Sequence, residues 1–150
     1  MNIHVLSRAV IIKDGQFLMC VNTTASFYFL PGGHIEHGES ATCALERELK
    51  EELGVVCKAR LFLGCFEYSF IPNNPDKCHS HEYNFIYLVD APDLYGHTVP
   101  CSPEDHTVFA WVPIASLHDV DFRPHALKKV LMEWLEADHS NAFKSHIEKG

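Results

Sequence analysis

Long apolar runs are missing from this 150-residue chain. No stretch approaches the ~18 apolar residues that span a bilayer. Met1-Asn2-Ile3-His4-Val5 carries no basic region followed by an apolar segment, so no signal peptide is expected. Positive charge is scarce as well: 12 Lys and Arg stand against 20 Asp and Glu, a net charge of −8. That balance excludes proteins that track a nucleic-acid backbone, whose affinity comes from neutralising phosphates. It also excludes a basic amphipathic helix lying on a membrane. Repeats, low-complexity tracts and linker-like stretches are absent. The six cysteines (20, 43, 57, 65, 78 and 101) are scattered through apolar segments. With no secretory signal they are expected to be reduced, mostly as small core residues, in a cytoplasmic protein.

What is present is an ordinary globular composition, 47% hydrophobic. The length fits one domain over 1–150, able to bury a core without disulfide or metal, with a polar tail from His139 expected to fray. Strands are predicted at Ser7–Ile12, Phe17–Val21, Phe27–Leu30, Tyr83–Val89 and Thr107–Val112, with one or two more across Val55–Phe70. Asp14-Gly15 signals a hairpin between the first two. Helices are predicted at Glu39–Leu53 and after Pro124, where Leu127, Val130, Leu131, Trp134 and Leu135 recur at helical spacing. Loops are predicted over 72–81 and 91–105. Strands and two amphipathic helices without regular βαβ alternation indicate a mixed sheet covered by helices on both faces.

The first helix carries the chemistry. Glycines at 32, 33 and 38 precede it, Ser40 or Gly38 can cap it, and Gly54 ends it. Ala41, Leu45, Leu49 and Leu53 form an apolar stripe. At ~100° per residue, with Glu48 at zero, Glu52 falls at ~40° and Glu51 at ~−60°. The three glutamates border the stripe instead of facing away from it. Like charges so placed repel, and partly buried carboxylates without a partner are costly. A hard divalent cation such as Mg²⁺ satisfies converging carboxylates and is commonly shared with substrate phosphates. A glycine-rich loop entering a helix suits a phosphate ligand. Arg47 adds a fixed positive charge whose partner is Glu39 or a phosphate oxygen. Read by charge pattern alone, the same run is also a solvated helix with i, i+4 ion pairs.

The spacing separates the two readings. Gly33, Glu39, Arg47-Glu48-Leu49, Glu51-Glu52 and Gly54-Val55 fill every defining position of a pattern that resembles the complete Nudix box, at residues 33–55. The Phe-Leu-Pro-Gly-Gly entry, the Phe109–Pro113 strand and the final helix extend that resemblance across the chain. It implies a Nudix-type α/β/α sandwich with a mixed β-sheet between helices. It implies a hydrolase in which water attacks a nucleoside diphosphate linked to a moiety X, the substrate being a small nucleotide such as an ADP-ribose-like nucleotide sugar or an NTP or dNTP. By position, the Gly33 carbonyl, Glu48, Glu51 and Glu52 would bind Mg²⁺ or Mn²⁺. The catalytic group would be Glu48, Glu52 and Arg47. Glu48 is the first choice of base and Glu52 the second; Arg47, with Glu39, shapes the loop. Glu104, in the loop before the last strand, resembles a further metal ligand, with Glu82 as its rival. Homodimers are common in such families. The alternative is a Nudix-fold sensor that binds a nucleotide without hydrolysis, which would have no need of all three carboxylates.

Outside the box, substrate binding is expected from Arg8, Phe29, His81 and Tyr87. Arg8 would meet phosphate and His81 would face the substrate from the loop ahead of its strand. Phe27, Tyr28, Tyr68, Phe70 and Phe85 are further aromatic candidates for stacking a base. Cys78, His79 and His81 lie close together but lack a fourth ligand and the spacing of a zinc site. His34 and His37 sit in the glycine-rich loop as exposed residues. Pro72, seventeen residues past Val55, resembles a proline found in diphosphosugar-cleaving groups and tilts X toward ADP-ribose-like substrates.

Overall fold

A computed structural model describes residues 2–71, 79–94, 100, 108–136 and 141–148. In chain order the strands are β1 (Asn2–Val10), β2 (Ile12–Lys13), β3 (Gln16–Asn22), β4 (Phe27–Phe29), β5 (Gly32–His34), β6 (Lys58–Ser69), β7 (His79–Asp90), β8 (Val108–Pro113) and β9 (Phe143–Ile147). Helix α1 spans Ala41–Leu53 and α2 spans His125–Glu136. The β2–β3 hairpin turns on Asp14 and Gly15, both with positive φ (49° and 73°), as a two-residue primed turn requires.

Five strands form a mixed sheet in the order β5-β1-β7-β6-β9. β1 runs parallel to β7 and antiparallel to β5; β6 runs antiparallel to β7 and parallel to β9. A second, antiparallel sheet sets β3 between β4 and β8, with β2 joined to β3 through the hairpin. Strand alternation divides the core into two layers. Ala9, Ile11, Leu18 and Cys20 pack with Leu45, Leu49 and Leu53 of α1. Val10, Phe17 and Met19 point the other way and pack with Leu127, Leu131 and Trp134 of α2. The two helices therefore cover opposite faces, as the sequence indicates. Among the described residues no helix is long and apolar enough to cross a membrane.

The region Val55–Phe70, read as one or two strands, forms a single strand over 58–69, with register shifts at Ala59/Leu61 and Phe62/Gly64. Gly64 sits where an added Cβ would lie 2.4 Å from the Trp134 ring and 2.7 Å from the Ala142 carbonyl, so the absent side chain lets α2 and the tail close on the sheet. Two other local features differ from expectation. Gly32–His34 forms a strand although it reads as loop, because it borrows an edge from β1. The tail does not simply fray: residues 143–147 pair with β6. Local propensity could not reveal that strand, since its ladder comes from a partner some 80 residues earlier in the chain, as with Cys65 and Phe143. Cys20, Cys57 and Cys65 are buried free thiols, as expected, while Cys43 is exposed. Burial pushes the Cys57 thiol up to about 11, which keeps it protonated and unreactive. Pro72, Cys78 and Glu104 lie outside the described residues.

Candidate active site

Local chemistry sets α1 in place. The Ser40 side chain accepts the Cys43 N–H (3.2 Å), and Gly54, with φ 70°, turns the chain while its N–H donates to the Lys50 carbonyl (3.0 Å). The buried side chains are Ala44, Leu45, Leu49 and Leu53. Ala44, not Ala41, completes the stripe, so Glu48 sits between two buried residues. Its side chain is 21% exposed against 51% for Glu51.

The glycine-rich entry meets this helix face. Glu52 Oε2 accepts the Gly32 N–H at 3.1 Å. An ideal Cβ on Gly33 would lie 2.4 to 2.7 Å from the three carboxyl atoms of Glu48. The Glu48 carboxylate thus occupies the space that any side chain at position 33 would fill. Gly32 is fixed from its other side: it has φ 121°, and a Cβ there would lie 2.2 Å from the Ser7 carbonyl. Arg8 clamps the same turn, donating from Nη1 to the carbonyls of Gly32 (2.8 Å) and Leu30 (3.3 Å) and from Nε to Asn84 Oδ1 (3.4 Å).

Arg47 gathers the acidic groups. Its guanidinium grips Glu39 in a fork (2.9 and 3.0 Å) and donates to Glu48 Oε1 (2.9 Å), Glu51 Oε2 (3.4 Å) and the His34 carbonyl (3.2 Å). The hydrogen bond from Arg47 holds the Glu39 carboxyl below its ordinary range. The same contacts, from Glu39 first and Glu48 second, raise the Arg47 pKa. Glu39, one of the two partners foreseen for Arg47, is engaged. Among the described residues no three acidic, histidine or cysteine side chains stand grouped to share one metal ion. Glu48 and Glu51 turn to Arg47, while Glu52 turns to Gly32. The donor chemistry nevertheless fits a hard cation: both Glu48 carboxylate oxygens fill the place of a Cβ at Gly33, and Glu52 adds a third oxygen at Gly32.

A cleft of about 560 Å³ opens on the α2 side of the sheet, beside this turn. Phe27, Phe29, Tyr68 and Phe70 give it aromatic walls, and Arg8 lies at the end nearest the box. Arg8 and Phe29, both expected to bind substrate, are thereby brought together. Glu82 also lines this cleft, whereas its rival Glu104 lies outside the described residues. His81 and Tyr87 are placed elsewhere. Alternation along β7 sends Glu82 and Asn84 to the cleft side and the odd-numbered residues to the opposite face. There His81 Nε2 meets Glu67 Oε1 (2.9 Å), beside a bond from the Tyr83 hydroxyl (2.7 Å) to the same oxygen. These bonds, Tyr83 first and then Ser145 and His81, hold the Glu67 carboxyl low. Tyr87 packs on Phe62 with ring centroids 5.2 Å apart. Sequence reasoning missed Arg123 and Glu148 of the cleft. Arg123 lies 4.5 Å from the Phe27 ring centroid and pairs with Asp121 at 2.8 Å. Neither residue belongs to a motif, so no sequence signal marked them.

The sequence matches the NUDIX domain family over residues 4–135. It is 31% identical over 86 residues to a Methanocaldococcus jannaschii protein named ADP-ribose pyrophosphatase, a match covering 55% of this chain and 47% of that protein. It is 36% identical over 95 residues to a Mycobacterium tuberculosis protein provisionally named 8-oxo-dGTP diphosphatase 2, covering 63% of this chain and 60% of that one. The matches thus span about half to three-fifths of these relatives. Among solved structures, a NUDIX hydrolase from Nitrosomonas europaea superposes with a TM-score of 0.71 at 20% identity, covering 90% of each chain, a likeness of fold alone. With the box filled, its helix capped against the glycine turn and the family matched across most of its length, the chain belongs to the Nudix family.

Proposed function

We propose that the protein is a Mg²⁺-dependent pyrophosphohydrolase that cleaves a nucleoside diphosphate linked to a moiety X. One observation carries the reading. Glu48 and Glu52 approach the Gly32–Gly33 backbone from the helix, while Arg8, which holds the Gly32 carbonyl, lines the cleft. Glu48, Glu51, Glu52 and the Gly33 carbonyl would hold Mg²⁺ or Mn²⁺. A divalent ion bound there lowers the pKa of water and neutralises charge on the pyrophosphate oxygens. Glu48 would be the first choice of general base for the attacking water, and Glu52 the second. Arg47 keeps Glu48 and Glu39 in register with the loop. Arg8 orders the turn through its carbonyls and offers the cleft its positive charge.

The relatives' names support a small nucleotide as substrate, with X either a sugar or a further phosphate. The family resemblance also supports a homodimer, which sedimentation velocity tests. The test of function is turnover with Mg²⁺ across dNTPs, oxidised dNTPs, ADP-ribose, nucleotide sugars, NADH and dinucleoside polyphosphates. Expected is one preferred substrate, activity lost on chelation and restored by Mg²⁺ or Mn²⁺. Reaction in ¹⁸O water then identifies the phosphorus attacked. Nucleotide binding with no turnover on any substrate would leave a sensor and refute the hydrolase.

A further inference from the structure

One residue of the cleft, Glu148, comes from a segment outside the region matched to the family, which ends at residue 135. In the β6–β9 ladder Tyr68 pairs with His146, so the two side chains share a face. Their rings stack at 6.1 Å with 17° between planes, continuing a stack of Tyr68 on Phe70 at 5.5 Å. Two residues on, Glu148 lines the cleft, and its carboxylate accepts the Ile71 N–H at 3.1 Å.

This segment is anchored. Lys144 pairs with Glu133 of α2 at 3.5 Å, Trp134 Nε1 donates to the Asn141 carbonyl at 3.0 Å, and the Cys65 N–H donates to the Ala142 carbonyl at 2.7 Å. Across the sheet, β9 stands three strands beyond β1, about 14 Å from the strand of Arg8 at ~4.8 Å per step. That span is longer than a pyrophosphate. If the phosphates lie at the Arg8 end, the group that meets Glu148 belongs to the organic part of the substrate. Charge agrees with this orientation. Glu148 lines the cleft at the β9 end, where the Arg123 guanidinium is paired with Asp121, and a carboxylate repels phosphate while accepting bonds from neutral donors. A carboxylate has about four acceptor sites, and the Ile71 N–H uses one of them.

We propose that Glu148, positioned by the stacked pair Tyr68 and His146, determines substrate specificity. It accepts hydrogen bonds from adjacent N–H or O–H donors on the nucleoside, either the amino edge of the base or the sugar hydroxyls. The orientation rests on the hydrolase reading above; binding does not, and can be measured without turnover.

Calorimetric titration with ADP, IDP, CDP, UDP and 2′-deoxy-ADP tests the assignment on the full chain and on Glu148→Gln. The amide would turn a donor toward donors while still able to receive the Ile71 N–H. Expected is about tenfold weaker binding of the preferred diphosphate. If the loss persists with IDP but vanishes with 2′-deoxy-ADP, the sugar is the partner. If it follows the amino group across ADP/IDP or CDP/UDP, the base is. His146→Ala, which keeps the Glu148 carboxylate but removes its support, should weaken by about threefold the same diphosphates that Glu148→Gln weakens. Equal affinities of both variants and the unaltered protein for all five probes would overturn the proposal, as would failure of the unaltered protein to bind any of them. Turnover, assayed separately with Mg²⁺, decides the hydrolase reading independently.

Discussion

Two adjacent glycines should fail in opposite ways. At Gly33 the three atoms nearest an added methyl group are those of the Glu48 carboxyl, at 2.4 to 2.7 Å. Ordinary contact begins about 1 Å farther out, so the methyl and the carboxylate cannot share that space. The carboxylate terminates a flexible side chain and can swing away at little cost. Gly33→Ala should therefore fold, with a melting temperature within ~3 °C of the unaltered protein. It should lose activity, because Glu48 would be displaced from its place beside the turn. A loss of ~100-fold in kcat, or about 2.7 kcal/mol, is the expected scale for a misplaced metal ligand or base. At Gly32 the methyl meets the Ser7 backbone carbonyl at 2.2 Å, with φ at 121°. The backbone of β1 cannot swing away, and the dihedral alone costs ~1–3 kcal/mol. Gly32→Ala should lose at least ~3 kcal/mol, or ~6–12 °C. Calorimetry gives the melting temperatures, and steady-state kinetics on the best Mg²⁺-dependent substrate gives kcat. A Gly33→Ala protein with kcat within threefold of normal would refute the assignment of Glu48.

Glu52→Gln keeps an acceptor for the Gly32 N–H, so the fold should persist while kcat falls at least ~100-fold. Near-normal kcat would remove Glu52 from the metal site. The Glu39 carboxyl lies below its ordinary 4.5 in the folded state, so its contribution to stability is present above that pH and drains away as pH falls through the lower folded value. Melting temperatures of the parent and Glu39→Gln should converge on going from about pH 6 to about pH 3; a constant gap would show that the Arg47 pairing adds no pH-dependent stability. Gly64→Ala should cost ~1–3 kcal/mol by overpacking Trp134 and should speed hydrogen exchange across residues 143–147. Unchanged exchange there would mean that Gly64 does not seat the tail.

Much of the site was legible because it is local. Ser40, Gly54 and the spacing of Leu45, Leu49 and Leu53 define one helix, and rotation about its axis places Glu48 and Glu52 beside the core. The Arg47–Glu39 pair follows from the same segment. The cleft was less legible because it is assembled from distant pieces. Phe27 and Phe29 come from one sheet, Tyr68 from the other with Phe70 just past its strand, and Glu148 from near the end of the chain. Period-two alternation in β7 was readable, but which parity faces the cleft depends on where α2 packs. That is why His81 and Tyr87 lie on the opposite face from Glu82. The tail carries no strong strand signal of its own, and only the edge of β6 makes it a strand.

That edge has a consequence for handling the protein. β6 is a strand of 12 residues, and β9 covers it from Cys65 to Ser69. A bare sheet edge is adhesive, because its amide and carbonyl groups template pairing with any extended chain. β9 replaces it with a short margin of five residues bearing Lys144, two devices that discourage such pairing. A protein trimmed after residue 142 would expose the underlying ladder together with more of Phe66 and Tyr68. It would self-associate edge to edge, and its solubility would suffer before its chemistry could be judged.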